Sequence, residues 1–185
     1  MITVGIDEVG RGCWAGPLVA GAVILKTSLP GLRDSKKLSL KIRTQLDFEL
    51  RSGGNMYGLG WVYPDQIDNL GLTASVRLAM QRALSFLPKT YDQIIIDGNF
   101  NYLSHDKRAM AVVKADDIYP SVSAASILAK VARDNYMNEI SNVYPNYGFD
   151  KHVGYGTSFH IEMLRKYGVT PIHRKSYKPI QALMV

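Results

Sequence analysis

Residues 2–12 read ITVGIDEVGRG. The first five, Ile2 to Ile6, are rich in β-branched residues and show no helical period, which predicts a short buried strand. That strand runs directly into two carboxylates, Asp7 and Glu8, and then into Gly10-Arg11-Gly12. The arrangement returns twice: Gln93 to Ile96 ends in Asp97-Gly98-Asn99, and Met110 to Val113 is followed by Asp116. Two more strands are expected at Leu18 to Leu25 and Met56 to Tyr63.

Helical spacing fills the rest. It covers Leu40 to Leu50 after Ser39, Ala74 to about Phe86 with Thr73 as cap, about Ser123 to Ser141, and a last helix from near Thr157 to Gly168. Strands lead and helices increasingly follow, which predicts an α/β fold with a mixed sheet, helices packed on it and a helical C-terminal part. No repeat or linker divides the chain, so one domain over residues 1–185 is expected, its basic, helical C-terminal segment running from about 140 to 185.

The chain has 185 residues, 46% apolar and 21% charged, enough to fill a core. Its 22 Lys+Arg against 16 Asp+Glu give a net charge of +6, which favours a polyanionic partner but also suits a merely basic protein. The excess is uneven, because residues 151–185 carry six Lys/Arg and one acid. One cysteine, Cys13, excludes an internal disulfide and a Cys-based zinc site, and a half-buried thiol is expected there rather than a nucleophile. The N-terminus lacks a basic start with an apolar run, and no stretch nears ~18 uninterrupted apolar residues, so a cytoplasmic location is expected.

Carboxylates delivered at the ends of three strands lie where open α/β sheets bind ligands. Brought together they repel, and a cation relieves that repulsion. Hard oxygen donors without Cys suit Mg²⁺ or Mn²⁺, and two such ions activate water and stabilise the leaving oxygen in phosphodiester cleavage. Each acid taken singly also suits a turn or a helix cap; the repetition in a basic chain favours metal. Asp34-Ser35-Lys36-Lys37 offers hydroxyl and ammonium donors for a phosphate backbone, or a solvated charge run. Ser126, Lys130 and Arg133 share one helix face that can carry phosphates, although Arg133 can instead pair with Asp134 or Glu139. Tyr155 between two glycines offers a flat stacking surface, or plugs the domain's own groove. His152, His160 and His173 are read as structural or surface residues, with proton shuttling or metal ligation as the alternatives.

An ordered set of motifs, from residue 4 to about 176, resembles ribonuclease HII, the type 2 ribonuclease H. The set is IDEVGRG at 6–12, AGP at 15–17, DSKKLS at 34–39, IDGN at 96–99, KAD at 114–116, SAASILAKVARD at 123–134, YPNYGF at 144–149, GYGT at 154–157 and TPIHR at 170–174. The resemblance implies a ribonuclease H-like fold. It implies an endonuclease for RNA in RNA–DNA hybrids and for single ribonucleotides embedded in duplex DNA, cutting 5′ of the ribonucleotide to leave 3′-hydroxyl and 5′-phosphate ends, in DNA replication and repair. Asp7, Glu8, Asp97 and Asp116 would hold the two divalent ions. The backbone of Gly10, Arg11 and Gly12 would read the ribose 2′-hydroxyl, and Tyr155 would stack on the following sugar. Ser35, Lys36, Lys37, Ser126 and Lys130 would hold the backbone. Val153 stands where the family often has Lys, removing one phosphate contact. A monomer without membrane contact is expected; a replication-clamp contact is left open but unsupported, because the tail Gln181 to Val185 is short yet apolar.

Overall fold

The computed structural model describes residues 1–27, 29–32 and 35–184. Five strands form one sheet: β1 Thr3–Val9, β2 Leu18–Ile24, β3 Met56–Val62, β4 Gln93–Asp97 and β5 Ala109–Val112, in the order β3-β2-β1-β4-β5. β1 is antiparallel to β2 and parallel to β4, and β4 is parallel to β5. The helices are α1 Leu40–Ser52, α2 Pro64–Leu70, α3 Leu72–Leu84, α4 Ala115–Ile118, α5 Pro120–Val143, α6 Phe149–His152, α7 Ser158–Tyr167 and α8 Lys178–Gln181.

The two faces of the sheet carry different layers. Val4, Ile6, Leu18, Ile94 and Ile96 pack with Val76, Met80 and Ala83 of α3. On the other face, Val23 packs with Leu46 and Leu50 of α1 and with Ala124, Ile127 and Leu128 of α5. Gly5 is what lets α5 lie so close to β1, because a Cβ there would collide with the backbone of Ser121 and Val122. A third cluster, Met137, Tyr147, Phe149, Leu164, Ile172 and Ile180, extends the end of α5 into the C-terminal part and takes in Ala15 from the loop before β2. The mixed sheet flanked by helices and the helical C-terminal region agree with the expectation from sequence.

Three details differ from it. β1 does not stop before the acids: Asp7 and Glu8 lie inside it, registered against Gly21 and Ala20 of β2. The partner strand supplies ladder bonds that a single sequence does not show. α3 starts at Leu72 behind Gly71, not at a Thr73 cap, and follows an unexpected α2 whose seven residues are too few to display a period. Asp116 does not end a strand, because Lys114 turns in the left-handed region (φ 57°) and Asp116 lies in the short α4. By contrast, Ser39 and Thr157 cap α1 and α7 through their side chains, and Gly168 closes α7.

Candidate active site

The parallel pairing of β1 with β4 brings acids together. Ile6 registers with Ile96, so the next residues along, Asp7 inside β1 and Asp97 at the end of β4, lie where the pairing of the two strands stops. Asp7 and Glu8 are partly buried. Burial, then Glu8, then Asp97 push the Asp7 carboxyl up to about 8, against a lowering hydrogen bond from Ser126. Burial likewise raises Glu8, opposed by the positive charges of Arg11 and Lys36. Arg11 Nη1 lies 3.7 Å from Glu8 Oε1, while the buried Oε2 has no hydrogen-bond partner. Asp97 Oδ1 accepts from the Ala115 N–H at 2.8 Å, which anchors α4 and thereby Asp116. Asp97 and Asp116 line one open cavity of about 600 Å³ together with Lys36, Lys37, Asn99, Lys114 and Asp117.

Among the described residues, no group of three or more His, Cys, Asp or Glu side chains is gathered tightly enough to hold a metal ion as it stands. The donor set nevertheless fits one. Its members are hard oxygens, one buried carboxylate oxygen lacks a partner, and burial, reinforced by the like charges of Glu8 and Asp97, makes Asp7 resist ionisation.

The expected backbone-binding residues divide. Lys36 and Lys37 line the acidic cavity, with Lys37 paired to Asp117 at 2.7 Å. Asp34, in the same motif, lies outside the described residues. Ser35 and Ser126 are buried, their hydroxyls 2.9 Å apart behind Asp7, so they support the acid rather than face solvent. Lys130 pairs with Asp134 at 2.7 Å. Arg133 is fully buried and pairs with neither Asp134 nor Glu139; Nε donates to the Pro17 carbonyl (2.8 Å), Nη1 to Val153 (2.9 Å) and Nη2 to Ala15 (3.1 Å). The stripe read from Ser126, Lys130 and Arg133 is therefore not an open phosphate-binding face, because α5 is sandwiched between the sheet and the loops that Arg133 holds.

Those loops bring the remaining candidates together. Gly10 sits at φ 85°, and a Cβ there would strike the Arg133 guanidinium; the space around Gly12 is open. The Arg11 carbonyl accepts from Arg174 Nη1 (3.1 Å) and from the Tyr177 hydroxyl (2.7 Å). Trp14 and Ala15 donate their N–H groups to the Gly154 carbonyl at 2.8 and 3.2 Å. Tyr155 is 42% exposed, and its phenol, raised first by burial, meets the buried Cys13. Burial raises the Cys13 thiol as well, which leaves it a packing group rather than a nucleophile. The sequence placed Arg133 on a phosphate face or in a surface pair and left Arg174 without a role, so the loop-fastening part of both arginines was missed. Their signal was position alone, Arg133 in SAASILAKVARD and Arg174 in TPIHR.

Comparisons with known proteins agree with this architecture. The family model for ribonuclease HII matches residues 4–180. A ribonuclease HII from Francisella tularensis subsp. novicida is 45% identical over 186 residues, covering the whole of both chains. The ribonuclease H2 of Pyrococcus horikoshii OT3 superposes with a TM-score of 0.83 at 27% identity, over 100% of this chain and 97% of that one. The ribonuclease HII of Archaeoglobus fulgidus, solved as a complex with PCNA, gives 0.82 at 26% identity over 96% of each chain. The fold thus places the protein among the ribonuclease H-like nucleases. Within them, the chain belongs to the ribonuclease HII family. It is an endonuclease, a hydrolase that cleaves the RNA strand of RNA–DNA hybrids, in a family that depends on divalent metal. Among the described residues, no helix is long and apolar enough to cross a membrane.

Proposed function

We propose that the protein also cuts 5′ of single ribonucleotides embedded in duplex DNA, leaving 3′-hydroxyl and 5′-phosphate ends, and that Asp7, Glu8, Asp97 and Asp116 hold two Mg²⁺ or Mn²⁺ ions for this work. One arrangement carries the reading. β1 passes from Asp7-Glu8 straight into Gly10-Arg11-Gly12, and that loop is fastened to the loop bearing Tyr155. That continuity from carboxylates to glycine loop to Tyr155 supports the reading of a ribose next to the metal-holding acids.

When bound, the metal supplies an activated water and neutralises charge at the leaving 3′-oxygen. The chain's own residues do the rest. Ser126, itself paired with Ser35, holds the Asp7 carboxyl, and the Ala115 N–H holds Asp97. The open backbone at Gly12 lets a sugar edge approach, and contact with a lone 2′-hydroxyl distinguishes RNA from DNA at one position. Tyr155 presents its exposed ring to the next sugar, while Lys36 and Lys37 face the phosphates from the cavity wall. Lys130, tied to Asp134, contributes only at the edge.

The test compares an all-DNA duplex, the same duplex with one ribonucleotide, and a long hybrid, each with Mg²⁺, with Mn²⁺ and with chelator. Cleavage of the second and third only, and only with metal, is expected. Equal cutting of the all-DNA duplex would remove the ribose reader, and cutting in chelator would remove the metal. A cytoplasmic monomer is the expected working form. The PCNA complex of the archaeal relative makes a sliding-clamp pull-down the natural check for a partner.

A further inference from the structure

Beneath the GYGT loop lie three histidines, 8%, 0% and 1% exposed at His152, His160 and His173, in a region otherwise packed with aromatic and aliphatic side chains. His152 and His160 stack with ring centroids 4.4 Å apart, and His160 Nε2 is 3.0 Å from His173 Nε2. Their backbone partners set where each proton sits. His173 Nδ1 faces two donors, the Thr170 N–H at 3.0 Å and hydroxyl at 2.8 Å, which outweigh the carbonyl at 3.3 Å. Nδ1 is thus the acceptor, and the His173 proton lies on Nε2, aimed at His160 Nε2. His160 must then carry its own proton on Nδ1, and Nδ1 lies 2.9 Å from the Tyr155 carbonyl, which requires a donor. Read from either end, the chain has one direction, from Thr170 through His173 and His160 to Tyr155. His152 is fixed in the same way. Its Nε2 donates to the Tyr147 carbonyl at 2.7 Å and its Nδ1 accepts the Gly154 N–H at 3.2 Å.

Two of these bonds end on adjacent residues, Gly154 and Tyr155. The backbone leading into them is strained: Val153, a β-branched residue, sits at φ 43°, and Gly154 follows at φ 89°. Such a conformation persists only where its surroundings enforce it. Burying three imidazoles where apolar groups would fill the space is costly unless every ring nitrogen is used, and here every one is.

We propose that His160, backed by His173 and accompanied by His152, is a positioning residue that sets the Tyr155 backbone, and through it the ring, at the height needed to read a single ribonucleotide. This rests on Tyr155 being the junction reader.

The experiment uses the full chain and two substitutions that part the two ends of the His160 ring. His160→Asn keeps an amide donor where Nδ1 stood and loses the His173 contact; His160→Gln keeps a polar group near Nε2 and loses the donor to Tyr155. The readout is kcat/KM on a duplex with one embedded ribonucleotide, divided by kcat/KM on a long hybrid. His160→Gln should lower that ratio about tenfold, since small misplacement of a positioning group costs rate steeply, while His160→Asn should stay within about threefold of the parent. Equal losses on both substrates, or the same ratio for Asn and Gln, would overturn the proposal. Tyr155→Ala is the control: an unchanged ratio there means that Tyr155 is not the reader, whereas a lowered ratio with His160→Gln at the parent value means that only the positioning role is wrong. Should a His160 variant not fold, the same comparison is read at the Gly154 N–H, where His152→Asn keeps an acceptor and His152→Leu does not; Leu alone should lower the ratio, and equal ratios would again overturn the proposal.

Discussion

Arg133 Nη1 donates to the carbonyl of Val153 at 2.9 Å, across a chain separation of 20 residues, and the same guanidinium reaches Ala15 and Pro17. One buried side chain on α5 therefore joins the loop after β1 to the loop that carries Tyr155. Replacing it with Met keeps the bulk but strands three carbonyls. Each unsatisfied buried group costs about 1–3 kcal/mol, so Arg133→Met should lose at least about 3 kcal/mol. At about 2–4 °C per kcal/mol for a chain of this size, Tm should fall by about 6–12 °C, read by thermal melting. A change below 2 °C would show that the loops hold together without it.

Asp7 makes the opposite trade. Its carboxyl is crowded by Glu8 and Asp97 and buried beside β2, so its charge works against folding. Asp7→Asn keeps the shape and removes the charge. Turnover on a hybrid should drop below about a thousandth of the parent rate, some 4 kcal/mol of barrier, while hybrid affinity survives and Tm in chelator stays level or rises. Retained turnover with Mg²⁺ would take Asp7 out of the site.

These two residues show what a single sequence reveals and what it hides. Asp7, Glu8 and Asp97 were legible because β-branched runs ending in acids reflect strand geometry, a local property. Arg133 was not, since its partners lie more than 100 residues away at Ala15 and Pro17, and an arginine with helical spacing looks the same facing solvent or carbonyls. Ser126 and Ser35 carry the same lesson: their contact spans 91 residues and depends on how α5 sits over the sheet. The local reading also erred where the partner strand decides, in ending β1 before Asp7 when pairing with β2 continues to Val9.

Lys36 stands on the wall of the acidic cavity, and its charge reaches Glu8. If it neutralises a phosphate, it releases about one counterion on binding. The slope of log affinity against log salt for a hybrid should therefore become about one unit shallower in Lys36→Ala, measured by fluorescence anisotropy across a salt series with Ca²⁺ or no metal to prevent cutting. An unaltered slope in Lys36→Ala would place that side chain away from the substrate.

Burial, above all, holds His160 and His173 down to about 4, from an ordinary value near 6.5. Both are neutral in the folded chain, and the unfolded chain takes up their protons first as pH falls. Stability from these groups is thus full above about pH 6.5 and is lost progressively between about 6.5 and 4. Asp7, pushed up to about 8, acts in the reverse sense, because the folded chain protonates it first. The clean measurement is therefore urea unfolding of Asp7→Asn at pH 7.5, 6.0 and 5.0. A fall of roughly 1–3 kcal/mol over that range is expected, less than the roughly 4 kcal/mol that two independent shifts would give, because the imidazoles share contacts and some solvent. Burial lowers His152 as well, so His173→Asn in the same background should flatten the curve in part, by removing one of the three buried imidazoles. A flat parent curve would mean that the histidines accept protons in place, and that the loop they support tolerates the charge.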